Sequence, residues 1–329
     1  MEKSLGIRMR LRNNRFYVNQ GRSRPMIHTV LGPIEEGELG VTLPHEHILV
    51  GFIENGKLTP DDYDRQEVVS LILPYLMELR SVGCRTFVDC SPEYLGRDPY
   101  VLSELAVKSG LHIITNTGFY QAPYLPPFVF EMPEPELAKL WIREYDEGIG
   151  DSGVKPGFIK IALNKGRLFP VQEKIVRAAL TASLETGLPI QAHTNDGSVV
   201  MHVLEIMAER RFDPSRFIWV HAQNEKDLDL HEHAFKQGMW IQIDSIARSP
   251  HEDNCRLLQA FLERGMEAKL LLSQDLGWYT VGKAQGGDIR PYHKLFTEFI
   301  PFAVEYGIDP DVLDRLMSRN PAIALRNRS

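Results

Sequence analysis

Two textures of hydrophobicity alternate along most of the chain. One is a short, almost unbroken apolar run, as in strands buried on both faces, at 85–90, 112–117, 157–163, 189–194, 217–221, 240–244 and 269–275. The other is a longer stretch with apolar residues three and four apart, the mark of a helix with one buried face. It recurs at 65–82, 99–109, 135–147, 171–186, 198–210, 226–237 and 253–264. A further apolar run, from Leu39 to Leu49, precedes the first helix and makes the strands eight. The amphipathic stretch 290–306 serves as an eighth helix and 310–325 as a C-terminal helical cap, while 27–34 and 39–43 read as a short N-terminal hairpin entering the first core strand.

Eight βα units in roughly 290 residues point to an α/β fold, a (β/α)8 TIM barrel, for which about 250 residues are typical and insertions lengthen the loops. A doubly wound open sheet is the competing architecture, but no Gly-x-Gly-x-x-Gly follows any predicted strand. No linker interrupts the alternation, so residues 26–329 are expected to form one domain.

Composition narrows the function classes. A hydrophobic content of 43% over 329 residues is ample for a sizeable core. Thirty-seven basic against forty-four acidic residues, a net charge of −7, give no electrostatic footprint for nucleic acid or an anionic membrane. No apolar run reaches the ~18 residues of a membrane span. The three cysteines, Cys84, Cys90 and Cys255, form no CxxC pair, and a reducing cytoplasm is the expected compartment. Residues 1–25 differ from the rest: Lys3, Arg8, Arg10, Arg12, Arg15, Arg22 and Arg24 face only Glu2. They are expected to form a mobile or strap-like basic tail, with a nucleic-acid arm as the alternative disfavoured by the acidic remainder.

In such a barrel the chemistry sits at the C-terminal ends of the strands. Pro44-His45-Glu46-His47 places two imidazoles two residues apart, on one face of an extended strand. Other strands close on Lys160, His193, His221 and Asp275. Neutral imidazole and carboxylate suit zinc, and equally manganese, cobalt or iron. Lys160 interrupts the buried run Phe158-Ile159-Lys160-Ile161-Ala162 with a charge that is costly unless paired. Carboxylation by carbon dioxide would turn its amine into a carbamate able to bridge two metals; a Schiff-base lysine is the competing role. The remaining histidines are weaker candidates. His231 and His233 repeat the His-x-His spelling in a helical stretch, where they are expected on a solvated face, and His28, His112, His202, His251 and His293 lie away from the strand ends.

These residues resemble the amidohydrolase superfamily and, within it, the phosphotriesterase-like family of metal-dependent lactonases and organophosphate hydrolases. The resemblance runs from about 27 to 325 and rests on Pro44-His45-Glu46-His47, Gly157-Phe158-Ile159-Lys160, Gln191-Ala192-His193-Thr194, Val220-His221 and Ser273-Gln274-Asp275, in the family's order. It implies a buried metal on His45, His47 and Asp275, an exposed one on His193 and His221, and a carbamylated Lys160 bridging them. A hydroxide shared by the metals would be the nucleophile and Asp275 its proton acceptor.

Tyr120 matches the tyrosine that lactonase members place beside the metals. The His-Asp relay of dedicated phosphotriesterases is replaced at the matching positions by Ser245 and Asn224. The glycine-rich loop 277–293 carries Trp278, Lys283, Arg290 and Tyr292, a candidate pocket for an anionic group such as the phosphate of a sugar lactone. The expected activity is opening of a lactone. Triester or carboxylester hydrolysis on the same centre and a non-catalytic binding role are the alternatives, with a homodimer expected from similar proteins.

Overall fold

The computed structural model describes residues 26–328; the basic segment 1–25, with its expected tail, lies outside them. The chain opens with an antiparallel hairpin of β1 (Met26–Thr29) and β2 (Gly32–Glu35). The barrel strands follow as β3 (Thr42–Val50), β4 (Thr86–Asp89), a third position divided into β5 (His112–Ile114) and β6 (Asn116–Thr117), then β7 (Phe158–Leu163), β8 (Ile190–Thr194), β9 (Phe217–Val220), β10 (Trp240–Ile243) and β11 (Leu270–Leu272). Between them run α1 (Arg65–Ser81), α2 (Pro99–Ser109), the short α3 (Phe128–Glu131) with α4 (Glu134–Glu147), α5 (Pro170–Thr186), α6 (Gly197–Glu209), α7 (Leu228–Gln237) and α8 (His251–Glu263).

Neighbouring barrel strands are parallel and pair in chain order, in arcs β3-β4-β5 and β6 to β11. The seam between last and first strand is closed by the Asp275 N–H donating to the His45 carbonyl at 3.1 Å. The helices start where their sequence dictates. Asp64 caps α1 through the N–H groups of Gln66 and Glu67, and Asp98 caps α2 through Tyr100 and Val101, just before Pro99.

Period-two alternation sorts each strand between two apolar regions. Ile159, Ile161 and Leu163 pack outward with the helices, as do Trp219, Leu270 and Leu272. Phe158, Ile218, Val220, Trp240 and Leu271 instead fill the lower barrel interior with Ile27 of the hairpin and Leu325 of the C-terminal cap. Each large side chain so buried contributes about 1.5 to 3 kcal/mol. On β7 the rule then puts Lys160 on the side of Phe158, facing inward, two residues closer to the strand's C-terminal end.

Two expectations are corrected. The eighth barrel strand stops at Leu272 and does not reach residue 275, because the chain turns through Ser273-Gln274-Asp275, with Asp275 at φ 51°. An extra strand follows, β12 (Gly277–Thr280), which runs parallel to the upper half of β3. The eighth helix starts five residues later than the expected 290: a π-helical turn at Leu295–Phe299 leads into α9 (Ile300–Tyr306). Pro291 disfavours helical geometry at Arg290, which stays in the loop. The C-terminal cap consists of α10 (Pro310–Asp314), a second π-helical turn and α11 (Asn320–Leu325). Among the described residues no helix is long and apolar enough to cross a membrane.

Candidate metal centre

His45 and His47 project from β3, Lys160 from β7 and His193 from β8. His221 and Asp275 stand just beyond β9 and β11 in left-handed backbone, φ 64° and 51°, a conformation unusual for residues with a Cβ. All six side chains converge. His47 Nε2 lies 3.1 Å and His45 Nε2 3.8 Å from Asp275 Oδ1, His221 Nε2 lies 2.8 Å from His193 Nδ1, and Lys160 Nζ lies 3.5 Å from His45 Nε2. His45, His47 and Asp275 offer ligand atoms within 4.8 Å of one another.

The far side of each ring is held as well. Buried Asp244 accepts from His45 Nδ1 at 3.0 Å and His221 Nδ1 at 2.6 Å, while its own position is fixed by Gln223 and Gln242. His47 Nδ1 faces Ser91 Oγ at 2.9 Å, and that hydroxyl donates onward to the Leu49 carbonyl. Both arrangements put the proton on Nδ1 and leave Nε2 a bare lone pair turned inward. Asp244 also forms a potential ligand set with His45 and His221. It meets those rings on their outer nitrogens, however, which makes it their support. Glu46, between the two β3 histidines, accepts from Ser273 Oγ and from the N–H groups of Gln274 and Leu276, clamping the turn that bears Asp275.

Electrostatics agree with this division. Burial and the Lys160 charge push His45 down to about 3, against the opposing pull of Asp244. Burial likewise lowers His47 and His193, so these imidazoles are neutral near pH 7. For Asp275 burial acts upward, but the close approach of His47 and the neighbouring His45 and His221 outweigh it and hold the carboxyl below its usual range. Lys160 is 1% exposed, and among the described residues it makes no ion pair. Neutral imidazoles, an ionised carboxylate and a buried amine without a counter-ion form a donor set that suits divalent first-row cations.

Above the cluster lies a cavity of about 210 Å³, walled by Val50, Phe52, Leu95, Tyr120, Arg248 and Trp278. Tyr120 Oη is 3.3 Å from His193 Nδ1. The four residues picked from loop 277–293 separate here. Trp278 lines the cavity, and Arg290 stacks on its ring at 3.9 Å. Lys283 is exposed on the loop and does not line the cavity. Tyr292 is a correction: it is fully buried, donates to the His47 carbonyl at 2.7 Å and packs edge-on against Phe87, so it supports β3 from below and cannot reach a substrate. His231 is another, since it is not solvated but fully buried, stacked on Trp219 and bound to the Ala222 carbonyl at 2.8 Å.

Four residues at the centre escaped the sequence reading. Asp244 closes the seventh predicted strand, and the rule that selected the other ligands would have found it. Glu46 and Ser91 sit inside or beside predicted strand ends. Arg248 carries no pattern; it lies in the loop after β10 and grips Asp275 Oδ2 at 2.7 Å. Ser245, matched to the relay histidine, bonds instead to Asn254.

A parallel eight-stranded barrel whose upper rim gathers neutral imidazoles around an ionised carboxylate defines a class, the TIM-barrel metal-dependent hydrolases. Comparison with known proteins gives the family. The phosphotriesterase family model matches residues 25–325, and the chain belongs to that family. It is 29% identical over 290 residues to the phosphotriesterase homology protein of Escherichia coli K12, covering 86% of this chain and 97% of that one. It is also similar to the aryldialkylphosphatase of Saccharolobus solfataricus (25% identical; 88% and 95% covered) and to the phospho-furanose lactonase of Mycoplasmopsis synoviae (24% identical; 89% of each covered). The protein is therefore an enzyme, a hydrolase of a metal-dependent family.

Proposed function

We propose that the enzyme opens a small lactone carrying an anionic group, with a phosphorylated sugar lactone as the leading substrate class. The observation that carries this reading is the cavity: at about 210 Å³ it lies below the roughly 300 to 1,000 Å³ of drug-sized pockets, and it places one cation, Arg248, paired through one nitrogen with Asp275, in an otherwise largely apolar upper wall. A compact ring with a short charged arm suits that space better than the three arms of a triester or a long acyl chain. Arg290 adds positive charge behind Trp278, and its Nη2 is buried without a partner. The name of the Mycoplasmopsis relative supports the same class.

His45, His47 and Asp275 would hold one divalent cation and His193 and His221 a second, with Lys160 as a carbamate between them; zinc is the leading candidate. Such ions supply Lewis acidity to the substrate oxygen and make water easier to deprotonate. The chain's own residues do the rest. Asp275 takes the proton from the attacking water and returns it to the departing ring oxygen, so that lactone and water become a hydroxy acid. Tyr120, whose hydroxyl burial holds in its protonated form, donates to the substrate carbonyl oxygen. Phe52, Leu95 and Trp278 exclude water from the ring.

Triester hydrolysis on the same centre is the second reading, supported by the name of the Saccharolobus relative. Initial rates on a panel of lactones with and without a terminal phosphate, beside an aryl dialkyl phosphate, test the assignment. A clear kcat/KM preference for the phosphorylated lactone supports it, and a preference for the triester overturns it.

A further inference from the structure

Three of the four inward imidazoles have an outer partner that can accept their N–H: Asp244 serves His45 and His221, and Ser91 serves His47. His193 differs. Its Nε2 faces the Asn195 side-chain amide, with Nδ2 at 2.9 Å, and the Asn195 oxygen in turn accepts from Asn224 Nδ2. An amide that donates to Nε2 leaves the His193 proton on Nδ1, the nitrogen 2.8 Å from His221 Nε2. Apart from Tyr120 Oη, which stands 3.3 Å from the same Nδ1, the contacts then form one directional chain along the shorter distances. Asn224 donates to Asn195, Asn195 to His193, His193 to His221, and His221 to Asp244.

That chain is self-consistent only while no cation lies between His193 and His221, because a ligating nitrogen must present a lone pair. To free Nδ1, the proton must move to Nε2, and the Asn195 group facing it must become the oxygen. Asparagine can do this by a half-turn about its last bond, since its oxygen and nitrogen are nearly the same size. Asn224 then turns likewise and offers its oxygen to the Asn195 amino group. The Asn224–Asn195 and Asn195–His193 contacts reverse their direction, the His193–His221 hydrogen bond gives way to the cation, and the His221–Asp244 bond stays as it is. Asp244 and Ser91 need no such reversal, as each already accepts from its imidazole.

We infer that Asn195 and Asn224 form a reversible amide pair, in which Asn195 is the positioning residue that sets the His193 tautomer and thereby selectively tunes the cation position shared by His193 and His221. The inference rests on the metal-centre reading above. It implies unequal sites. The position on His193 has a neutral amide behind one ligand and must reorient two side chains to fill, whereas the position on His45 and His47 is pre-oriented. His193 is also the least buried of the four histidines, so this position is the one that fills last and exchanges fastest.

The test is zinc binding alone, by competition with a chromophoric chelator, on the full chain and its Asn195→Ala, Asn195→Asp and Asn224→Leu variants, with no substrate present. The wild type should take two equivalents of unequal affinity. Asn195→Ala should weaken the weaker equivalent by about ten- to hundredfold and leave the tighter one unchanged. Asn195→Asp, which can only accept, should restore or exceed wild-type affinity at that equivalent, and Asn224→Leu should weaken it to a lesser degree. Equal weakening of both equivalents, no change in either, or an Asp variant as weak as the Ala variant would overturn the inference while leaving the metal centre standing. A wild type that takes up no zinc would overturn both. Should Asn195→Ala fail to fold, the Asp and Leu variants still decide the matter by their opposite signs.

Discussion

The Asp244 carboxylate is the shared support of His45 and His221, and changing it to asparagine isolates that role. The side chain keeps its volume and one acceptor oxygen, so it can still receive either imidazole N–H but not both. The other ring then meets an amino group, donor against donor, in a site from which solvent is excluded. A hydrogen bond to a charged group is worth about 1.5 to 3 kcal/mol, and 1.4 kcal/mol is tenfold. The combined affinity for the two cations should therefore fall by roughly ten- to 150-fold. The Asp244→Asn protein should also need more metal to reach full activity, with a smaller loss once saturated. The assay is chelator-competition titration followed by turnover across free metal concentrations. A variant with wild-type affinity and a large loss of kcat at saturating metal would refute the argument, because it would assign Asp244 to the chemistry instead of to the rings.

Four other outcomes are expected. Lys160→Ala should lose most bound metal and activity, with partial recovery of both in small carboxylates or bicarbonate; failure of rescue, together with borohydride trapping of substrate on the wild type, would favour a Schiff base. Asp275→Asn should bind metal only modestly less tightly while turnover drops at least about a hundredfold, and near-normal turnover would remove it as proton acceptor. Arg248→Ala also frees Asp275, so it should slow both substrates, but kcat/KM on a phosphorylated lactone should fall by a further factor of roughly ten to 150 relative to a neutral one; equal losses on both would remove it as an anion contact. The metal-free protein should be most stable near pH 6 to 7, as read by melting temperature. His45, His47 and His193 have lowered folded values, so the stability they contribute is present above about 6.5 and is lost as pH falls; Glu46 and Asp89, raised by burial to about 8, contribute stability that is lost as pH rises from about 4.5 toward 8. A melting temperature that climbs steadily to pH 9 would contradict this balance.

Much of the fold was legible because a buried strand and an amphipathic helix carry different periods, and both repeat here with little interruption. Helix α2 matches its expected bounds because Asp98-Pro99 and Gly110 punctuate it at both ends. What escaped was set by tertiary contact. Strand β12 hid in a glycine-rich stretch, where Gly277 is required because the Tyr292 ring would stand 2.0 Å from any Cβ. Tyr292 itself looked like a loop aromatic facing substrate, and nothing local reveals that it reaches under β3. His231 was misplaced for a similar reason. Helical phase sets which way a residue points relative to its neighbours, not whether the stack it meets is solvent or Trp219. At the centre, strand-end position was enough to nominate the inward ligand candidates, whereas their outer partners depend on which strand ends are neighbours.

The seam between β11 and β3 joins the beginning of the barrel to its end. The His45 N–H donates to Ser273 Oγ across 228 positions of sequence, and Glu46 holds the turn on either side of Asp275. During synthesis the nascent chain therefore exposes His45 and His47 long before the aspartate beside them exists. Until the last strand is released and docks, the two histidines are an open pair without their carboxylate. If these side chains hold the cation as proposed, the full ligand set is assembled only when the two ends of the barrel meet, so complete loading would depend on closure of the seam.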